Sequence, residues 1–438
     1  MIARQQAGTC RPFAALRAGS EGRRYASFNT PARQTMRILL LNEYFPPDTS
    51  ATAKMAEAVV RGLSARHEVI ALCGRPSYDP SERHGYYLWR REKRGNVAVE
   101  RVGSTTLPRF KMRQRLSNYL SYLALAIPRA LMIRADLVLA MTDPPVAGIA
   151  AALVARLKRR PFVYNIRDLY PEMALSGEIV RPARWVRVWE RLHRWALGKA
   201  ARVIVLGEDT RERIIAKGVP TERVVVVRDG ARIPPSIPES GAPQQHSVTR
   251  EVRGGFRFVV LHAGNLGFYG AWQTVVEAAR RMNGDGVGFV FVGDGALRRE
   301  IEAAAAGCLA MRFLPFRPPE EVPYVFAAGD IHLVTVRRGL EGVVVPSKFY
   351  SILAAGRPVL VLAHEGSDAA RLVRRTGCGV VADPDDPASV AAIVQELARD
   401  PERVARMSQR AREVAPEFAL EKELQRFREV IEQIAYGH

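Results

Sequence analysis

The chain is poor in cysteine, with four in 438 residues and none in a Cys-X-X-Cys pair. This usage excludes a disulfide framework and the common structural zinc sites, and it fits a reducing compartment. The eight histidines form no His-Glu-X-X-His motif. Long hydrophobic runs are also missing, because the runs at 116–128 and 144–155 end in arginine, short of the ~20 residues that a membrane span requires. We therefore expect no disulfide, no metal centre and no transmembrane helix.

Basic charge is what the chain has in excess, and it is unevenly distributed. The net charge is +20, and residues 36–236 hold 35 basic and 19 acidic side chains, whereas residues 237–438 hold 24 and 25. Nucleic acid and an anionic membrane leaflet both attract a basic surface of this kind. No RNP-type aromatic strand or zinc finger accompanies the charge, so the first half of the chain is predicted to meet an anionic membrane and not nucleic acid.

Two successive runs of strands and helices indicate the fold class. Short β-branched runs alternate with helical patterns over residues 36–236 and again over 255–415, which predicts two α/β units with parallel sheets covered on both faces. Residues 237–254 are rich in proline, serine, glutamine and glycine and are predicted to be a linker. Two such units enclose a cleft, and ligands of these sheets lie beyond the carboxyl ends of the strands.

The two ends of the chain have their own predictions. Residues 1–35 contain six arginines and no apolar periodicity, so they are predicted to be disordered or an over-long start before a first strand that begins near Met36. A targeting peptide is the alternative, although no apolar core of 7–15 residues precedes a small-residue cleavage site. Residues 416–438 are predicted to form a C-terminal helix that packs back on the first unit.

The stretch 341–362 is the most informative part of the sequence, because its pattern is a loop, a short helix and a buried strand. Ser347 is predicted to cap the helix, whose first turn and dipole favour an anion, and Lys348 adds a positive charge at the same end. Gly356 and Pro358 then end the helix. The stretch therefore predicts a site for the diphosphate of a nucleotide sugar.

A second helical pattern carries arginine and aromatic residues together. The arginines are Arg181, Arg184, Arg187, Arg191 and Arg194, and the apolar residues are Trp185, Val188, Trp189, Leu192 and Trp195. Such a helix can lie in a bilayer interface, although an ordinary amphipathic helix packed on its own sheet is the alternative. A smaller basic patch precedes another apolar run and consists of Arg109, Lys111, Arg113 and Arg115. Together they predict contact with an anionic membrane surface.

Six loops at predicted strand ends resemble those of the retaining GT-B glycosyltransferases of family 4. They are NEYFPPD at 42–48, TDPP at 142–145, RDLYPE at 167–172, AGNLG at 263–267, VGDGALR at 292–298 and PSKFYSILAAGRP at 346–358. The similarity runs from about residue 36 to 434 and is strongest to the branch that builds bacterial O-antigen, capsule and exopolysaccharide of the colanic acid type. It implies a GT-B fold of two Rossmann-like domains whose parallel sheets face a central cleft, with the acceptor on the N-terminal domain and the nucleotide sugar on the C-terminal domain.

The resemblance also implies residues that bind the donor. These are Gly264, Asn265, Leu266, Gly267, Asp294, Phe316, Arg317, Ser347, Lys348 and Ser351. The chain departs from the family at Asn265 and Gly270, where many members carry arginine and lysine, and at the second of two paired glutamates, where it has Phe349 or Ser351. Lys348 is therefore expected to carry most of the positive charge. The glycines can alternatively serve only a tight turn.

Catalytic and acceptor residues are implied in the same way. Asp168 is expected to position the reacting groups, with Glu172 as a second candidate and Glu341 on the donor sugar. Thr49, Ser50 and Arg167 are expected at the acceptor. A structural pair of Arg167 with Asp168 and an exposed loop glutamate at Glu341 are the alternatives.

The resulting functional hypothesis is a retaining, metal-independent transfer of a hexosyl or N-acetylhexosaminyl group, with no cofactor. The donor is a nucleoside diphosphate sugar, UDP being favoured, and the acceptor is linked to polyprenyl diphosphate at the inner face of the cytoplasmic membrane. A soluble acceptor is one alternative. A non-catalytic basic scaffold that binds membrane or nucleic acid is another.

Overall fold

The computed structural model describes residues 35–77, 85–108, 111–177, 180–233 and 246–435. Predictions for residues 1–34, for Arg109 and for residues 237–245 of the linker lie outside these ranges. Within them the chain forms two α/β lobes, which confirms the predicted fold class. We call residues 35–233 the N lobe and residues 246–418 the C lobe.

The N lobe is built on an eight-stranded sheet in the order β3-β4-β2-β1-β5-β6-β7-β8. All neighbours are parallel except β3 and β4. Alternate residues of the first strand enter different cores, with Leu39 and Leu41 on one face and Ile38 and Leu40 on the other. Its elements are β1 (Arg37–Leu41), α1 (Ala51–Ser64), β2 (Glu68–Cys73), β3 (Trp89–Arg94), β4 (Val97–Val102), α2 (Met112–Met132), β5 (Leu137–Ala140), α3 (Ala147–Lys158), β6 (Phe162–Asn165), α4 (Glu172–Ser176), α5 (Arg184–Lys199), β7 (Arg202–Val205), α6 (Glu208–Ala216) and β8 (Val224–Val226).

The C lobe has a six-stranded, all-parallel sheet in the order β11-β10-β9-β12-β13-β14. Its four inner strands are almost wholly buried, as expected for a parallel sheet covered on both faces, and the two edge strands are half-buried. Its elements and the final helix are α7 (Ser247–Arg253), β9 (Phe258–Ala263), α8 (Trp272–Arg280), β10 (Val287–Val292), α9 (Arg298–Ala304), β11 (Met311–Leu314), α10 (Val322–Ala328), β12 (Ile331–Thr335), α11 (Lys348–Ala354), β13 (Val359–Leu362), α12 (Asp368–Thr376), β14 (Gly379–Ala382), α13 (Pro387–Arg399), α14 (Pro401–Val414) and α15 (Leu420–Ala435).

Two elements differ from the sequence-based expectation. The linker predicted at 237–254 is wrong from residue 247 onward, because α7 forms there and buries Val248 and Val252 against α10. The strand β3 was not predicted, since it is an edge strand of mostly charged, exposed residues. Pairing with β4 and the ion pair of Glu92 with Arg101 at 2.8 Å hold it in place, and neither is visible as a local pattern.

The last helix of the C-terminal sequence belongs to the N lobe by its packing. In α15, Phe427, Val430 and Ile431 are buried in the same core as Val59 and Leu63 of α1. The chain crosses back at residues 418–420, where the backbone N–H of Leu420 donates to the carbonyl of Ala231 at 2.9 Å.

Buried polar contacts join the two lobes. Arg228 of the N lobe donates to Asp368 of α12 at 2.7 Å, and the N–H of Asp368 donates to Asp209 of α6 at 2.9 Å. Burial raises the pKa of Asp209, although hydrogen bonds from backbone N–H groups work against that shift. The lobes are therefore held together by polar and charged groups that satisfy one another in a region from which water is excluded.

Within the described ranges, no helix combines the length and the apolar composition that crossing a bilayer would need.

We expect Ile431→Ala to lower the free energy of unfolding by about 2–5 kcal/mol, because it leaves a cavity in a core shared by α1 and α15. Urea denaturation would measure the loss. Gln433→Ala, at an exposed position of the same helix, is the matched control and should change little. Equal effects of the two substitutions would mean that α15 is not docked as described.

Candidate active site at the cleft

Lys348 lies at the first position of α11 and turns toward the carboxyl end of β9. Its Nζ is 2.9 Å from Nε2 of His262, and a Cβ atom added to Gly264 would lie 3.3 Å from the same amine. Burial lowers the pKa of Lys348 to about 7. Among the described residues, no carboxylate contributes to this shift. The site therefore holds an amine that no described carboxylate neutralises and that can change its charge near neutral pH.

His262 is a site residue that sequence reasoning missed. Its ring is buried, lies 4.9 Å from the ring of Trp272 and 5.8 Å from that of Phe291, and has a pKa well below the ordinary value because of burial and the nearby Lys348. One sequence feature could have identified it. His262 is the single titratable residue in the apolar strand Phe258–Ala263, which directly precedes a glycine-rich loop.

The glycine-rich loop after β9 packs against the loop after β10. Gly264 has φ of +139°, and a Cβ on Gly293 would lie 2.0 Å from the carbonyl oxygen of Gly264, so both positions require glycine. The N–H of Gly264 donates to Val292 and that of Leu266 to Asp294, both at 2.9 Å, and the Leu266 side chain is in the core. The backbone N–H groups of Gly264 and Leu266, two residues predicted to bind the donor, are therefore already used within the lobe.

Ser347 does not cap α11, so that prediction is also wrong. Its backbone is already helical, with φ of −57° and ψ of −24°, and its side chain makes no capping hydrogen bond. A cap needs an extended backbone to bring its oxygen over the first turn. Ser50, predicted at the acceptor, is the residue that caps, since its Oγ accepts from the N–H of Ala53 in α1 at 3.1 Å.

Three other predicted side chains are held in ion pairs. Arg167 pairs with Asp229 at 2.6 Å, instead of with its neighbour Asp168. Glu172 contacts the buried Lys217 at 2.5 Å. Arg317 pairs with Glu251 and with Glu321, which neutralises the charge that was expected to support the diphosphate.

The remaining predicted residues comprise Glu341, which closes its own turn, Gly267, which binds a neighbouring indole, and five that face solvent. The carboxylate of Glu341 accepts from the N–H of Gly339 at 2.9 Å. The carbonyl of Gly267 accepts from the indole of Trp272 at 2.6 Å. The exposed residues are Thr49, Asn265, Asp294, Phe316 and Ser351.

Asp168 is one of the carboxyl groups that the N lobe brings to the lobe interface. It follows β6 and forms a bridge pair with Val344, while the N–H of Leu169 donates to Val343 at 3.1 Å. Burial, reinforced by the nearby carboxyl of Asp143, raises the pKa of Asp168 to about 7. The group can therefore exchange a proton near neutral pH, as an acid–base residue must.

A cavity of about 390 Å³ opens in the C lobe beside this region. Phe268, Trp272, Gln273 and Arg337 are among its lining residues, and Arg337 also donates across the cleft to the carbonyl of Ser176 in α4. None of the residues predicted to bind the donor lines this cavity. The amine of Lys348 therefore lies outside this cavity.

The sequence matches two family models that follow one another along the chain. Residues 50–230 match a glycosyl transferase 4-like domain, and residues 257–400 match the glycosyl transferases group 1. The boundary between the two models falls between the two lobes.

Individual relatives are distant in sequence. The chain is similar to a protein of Pseudomonas aeruginosa named as the glycosyltransferase WbjE, with 27% identity over 60% of this chain and 66% of that protein. It is similar to a protein of Escherichia coli named as the colanic acid biosynthesis glycosyl transferase WcaI, with 24% identity over 83% of this chain and 92% of that protein.

A solved structure shows the same fold. HepE of Anabaena, crystallised in complex with UDP-glucose, superimposes with a TM-score of 0.63 over 92% of this chain and 100% of that one, at 19% identity.

The raised pKa of Asp168 predicts a stability effect that varies with pH. Between the ordinary carboxyl pKa near 4 and about 7, the folded state binds this proton more tightly than the unfolded state, so the stability of the wild type falls as pH rises through that window. Asp168→Asn removes the titration. Its melting temperature relative to wild type should be highest at pH 8 and should decline as the pH falls toward 4.

Thermal melts at several pH values test this prediction, with the exposed Asp285→Asn as the control. A difference between Asp168→Asn and wild type that stays constant over the pH range would contradict the assigned titration.

Proposed function

The chain belongs to the GT-B glycosyltransferases of family 4, and on that premise we propose that it transfers a sugar from a nucleoside diphosphate to an acceptor with retention of configuration. UDP is the proposed nucleotide. The crystal structure of HepE, a protein of the same fold, contains UDP-glucose, which supports this choice. The transferred group is proposed to be a hexosyl or N-acetylhexosaminyl unit.

The single observation that carries the proposal is the position of the Lys348 amine at the carboxyl end of β9, where it contacts His262 and, among the described residues, no carboxylate shifts its pKa. Negative charge develops on the diphosphate as the bond to the sugar breaks, and a preorganised cation in a partly dry site stabilises that charge strongly. The Lys348 side chain faces the space beside Gly264. A Cβ added to Gly264 would lie within 4 Å of Nζ and Cε of Lys348 and, apart from the adjoining residues, of no other described atom. It can therefore supply the charge for a leaving diphosphate in a mechanism that uses no metal.

Asp168 is proposed to position the reacting groups from the N lobe. In a retaining transfer the departing phosphate oxygen can accept the proton of the acceptor hydroxyl on the same face of the sugar, so a strong enzyme base is not required. A carboxyl group with a pKa of about 7 can instead hold a hydroxyl by a hydrogen bond in either protonation state. Glu172 is less suited to this role, because Lys217 already occupies its carboxylate.

The acceptor is proposed to be a saccharide on polyprenyl diphosphate, at the inner face of the cytoplasmic membrane. Three neighbouring helices of the N lobe, α2, α3 and α5, expose apolar side chains on one layer of the fold. These are Leu116, Leu120, Leu153, Leu157, Trp185, Val188 and Leu192. We call them the apolar helix face.

Basic side chains flank the apolar helix face. On α5 the exposed arginines 184, 187, 191 and 194 lie beside the exposed stripe, while Val186, His193 and Leu197 pack inward. The helix thus packs on its own sheet by one side and keeps a second apolar stripe for another partner. Aromatic and basic residues in this arrangement suit the headgroup region of an anionic bilayer.

Lys348→Ala should abolish most of the stabilisation by UDP. A ligand that binds only the folded state raises the melting temperature by mass action, so wild type should show a shift that grows with UDP concentration. The exposed Lys93→Ala in β3 is the matched control and should keep the full shift. A thermal-shift titration measures both variants, and an unchanged shift in Lys348→Ala would remove this residue from the donor site.

Membrane binding is tested with vesicles that contain phosphatidylglycerol. Trp185 and Leu192 are 52% and 46% exposed, and charging them in Trp185→Glu/Leu192→Glu should cost at least tenfold in vesicle affinity at low salt, since each inserted apolar side chain contributes on the order of 1 kcal/mol or more. Leu309→Glu, at a 78% exposed position of the C lobe, is the control and should float like wild type.

Co-flotation measures this binding. If wild type stays in solution at low salt, a soluble acceptor is favoured over the lipid acceptor. If the protein binds vesicles but calorimetry detects no heat with any nucleoside diphosphate, the non-catalytic scaffold is favoured.

A further inference from the structure

The contact between Lys348 and His262 brings two nitrogen bases together in the interior of the cleft. Nε2 of His262 lies 2.9 Å from the amine, and Nδ1 of the same ring lies 3.5 Å away. The ring is fixed from behind, because it packs edge-on to Trp272 at 4.9 Å. A neutral imidazole can accept a hydrogen bond from an amine in either of the amine's protonation states.

We propose that His262 is a positioning residue that holds the Lys348 amine toward the space beside Gly264, and that this pair binds a nucleoside diphosphate together with one proton. The inference rests on the proposed donor site and adds to it the coupling between nucleotide and proton.

The surroundings of the amine explain why a proton should accompany the ligand. His262 on β9 is the titratable group that contacts Lys348, and His332 on the adjacent β12 is a second buried imidazole that acts on His262. Among the described residues no carboxylate is a cause of the Lys348 shift, and burial lowers the pKa of the amine to about 7. Without a ligand the amine is therefore partly deprotonated at neutral pH, and a bound diphosphate would favour its ammonium form.

His262 itself does not take up the proton. Burial and the neighbouring amine keep its pKa far below neutrality, so the ring stays a hydrogen-bond acceptor while Lys348 titrates. Replacing the ring by an aliphatic side chain would remove the acceptor that stabilises the ammonium. The pKa of Lys348 would then fall further, and the amine would lose its fixed direction.

The proton balance closes without an additional reactant. One proton enters from solvent onto Lys348 when the nucleotide sugar binds. During transfer the acceptor hydroxyl loses its proton to the departing diphosphate oxygen, a bond forms between the acceptor oxygen and the sugar, and the bond to the diphosphate breaks. When the nucleoside diphosphate leaves, Lys348 returns its proton to solvent.

Calorimetric titration with UDP at pH 8, in two buffers with different ionisation enthalpies, measures the proton uptake directly. At this pH the terminal phosphate of UDP, whose pKa is about 6, is already ionised. A proton that is taken up on binding must therefore be bound by the protein. We expect close to one proton per UDP for wild type, and an affinity that falls about tenfold per pH unit between pH 8 and 9. Lys348→Arg should bind UDP without uptake, because guanidinium stays charged.

The outcomes separate this inference from the proposed function. Binding of UDP by wild type without proton uptake would overturn the inference and leave the donor site intact. Failure to bind any nucleoside diphosphate would overturn the donor site itself. An uptake that persists in Lys348→Arg would assign the proton to another group and also overturn the inference.

The role of His262 is tested by His262→Leu and His262→Gln, with His332→Leu as the matched control. His332 is equally buried, but its Nε2 lies 3.0 Å from the carbonyl of Phe326 and the residue does not contact Lys348. His262→Leu should move the pH dependence of UDP affinity to lower pH and weaken binding at pH 7 by about tenfold, equivalent to one pKa unit. His262→Gln should restore part of the affinity.

An identical pH profile in His262→Leu and wild type would remove His262 from this role. If His262→Leu does not fold, the wild-type uptake and its loss in Lys348→Arg still decide whether the nucleotide and the proton are coupled.

Discussion

The site depends on the contact of one partly buried amine, that of Lys348, with His262 and with no carboxylate among the described residues. Burying a cation without a partner is unfavourable, and proteins usually pair such groups or lower their charge. The other cations predicted for the cleft follow that rule, since Arg167 is neutralised by Asp229 and Arg317 by Glu251 and Glu321. Lys348 has a histidine beside it, and burial lowers its pKa to about 7. The amine is thus partly uncharged at neutral pH until an anionic ligand favours its ammonium form.

The architecture was largely predictable from local patterns, and the site only in part. Buried parallel strands such as Val97–Val102 and Ile331–Thr335 appear in the sequence as short β-branched runs, so period and turn residues locate them. Lys348 could be found because it follows a turn and begins a helix. The missing cap at Ser347 and the ion pairs of Arg317 and Glu172 could not be predicted from local pattern, since a backbone conformation or a partner distant in sequence decides what each side chain does.

Long-range pairing also explains what was missed. His262 becomes a site residue only because α11, which begins 86 residues later, delivers an amine to it. Asp143 and Asp229 both raise the pKa of Asp168, and they lie in loops that follow different strands of the same sheet. The family resemblance supplied the family, which the two family models confirm, and the fold class. It showed where this chain departs from the family, but it could not show which residues take over the roles of those that are missing.

The path of the polypeptide has a consequence for how the protein is made. The core under α1 is completed by Phe427 and Ile431 of α15, so Val59 and Leu63 cannot be fully covered until almost the whole chain has been synthesised. During translation the first lobe must therefore leave the ribosome with an uncovered apolar groove while the second lobe is still being assembled. A chaperone that shields this groove would act on a nascent chain whose second lobe can already be folded.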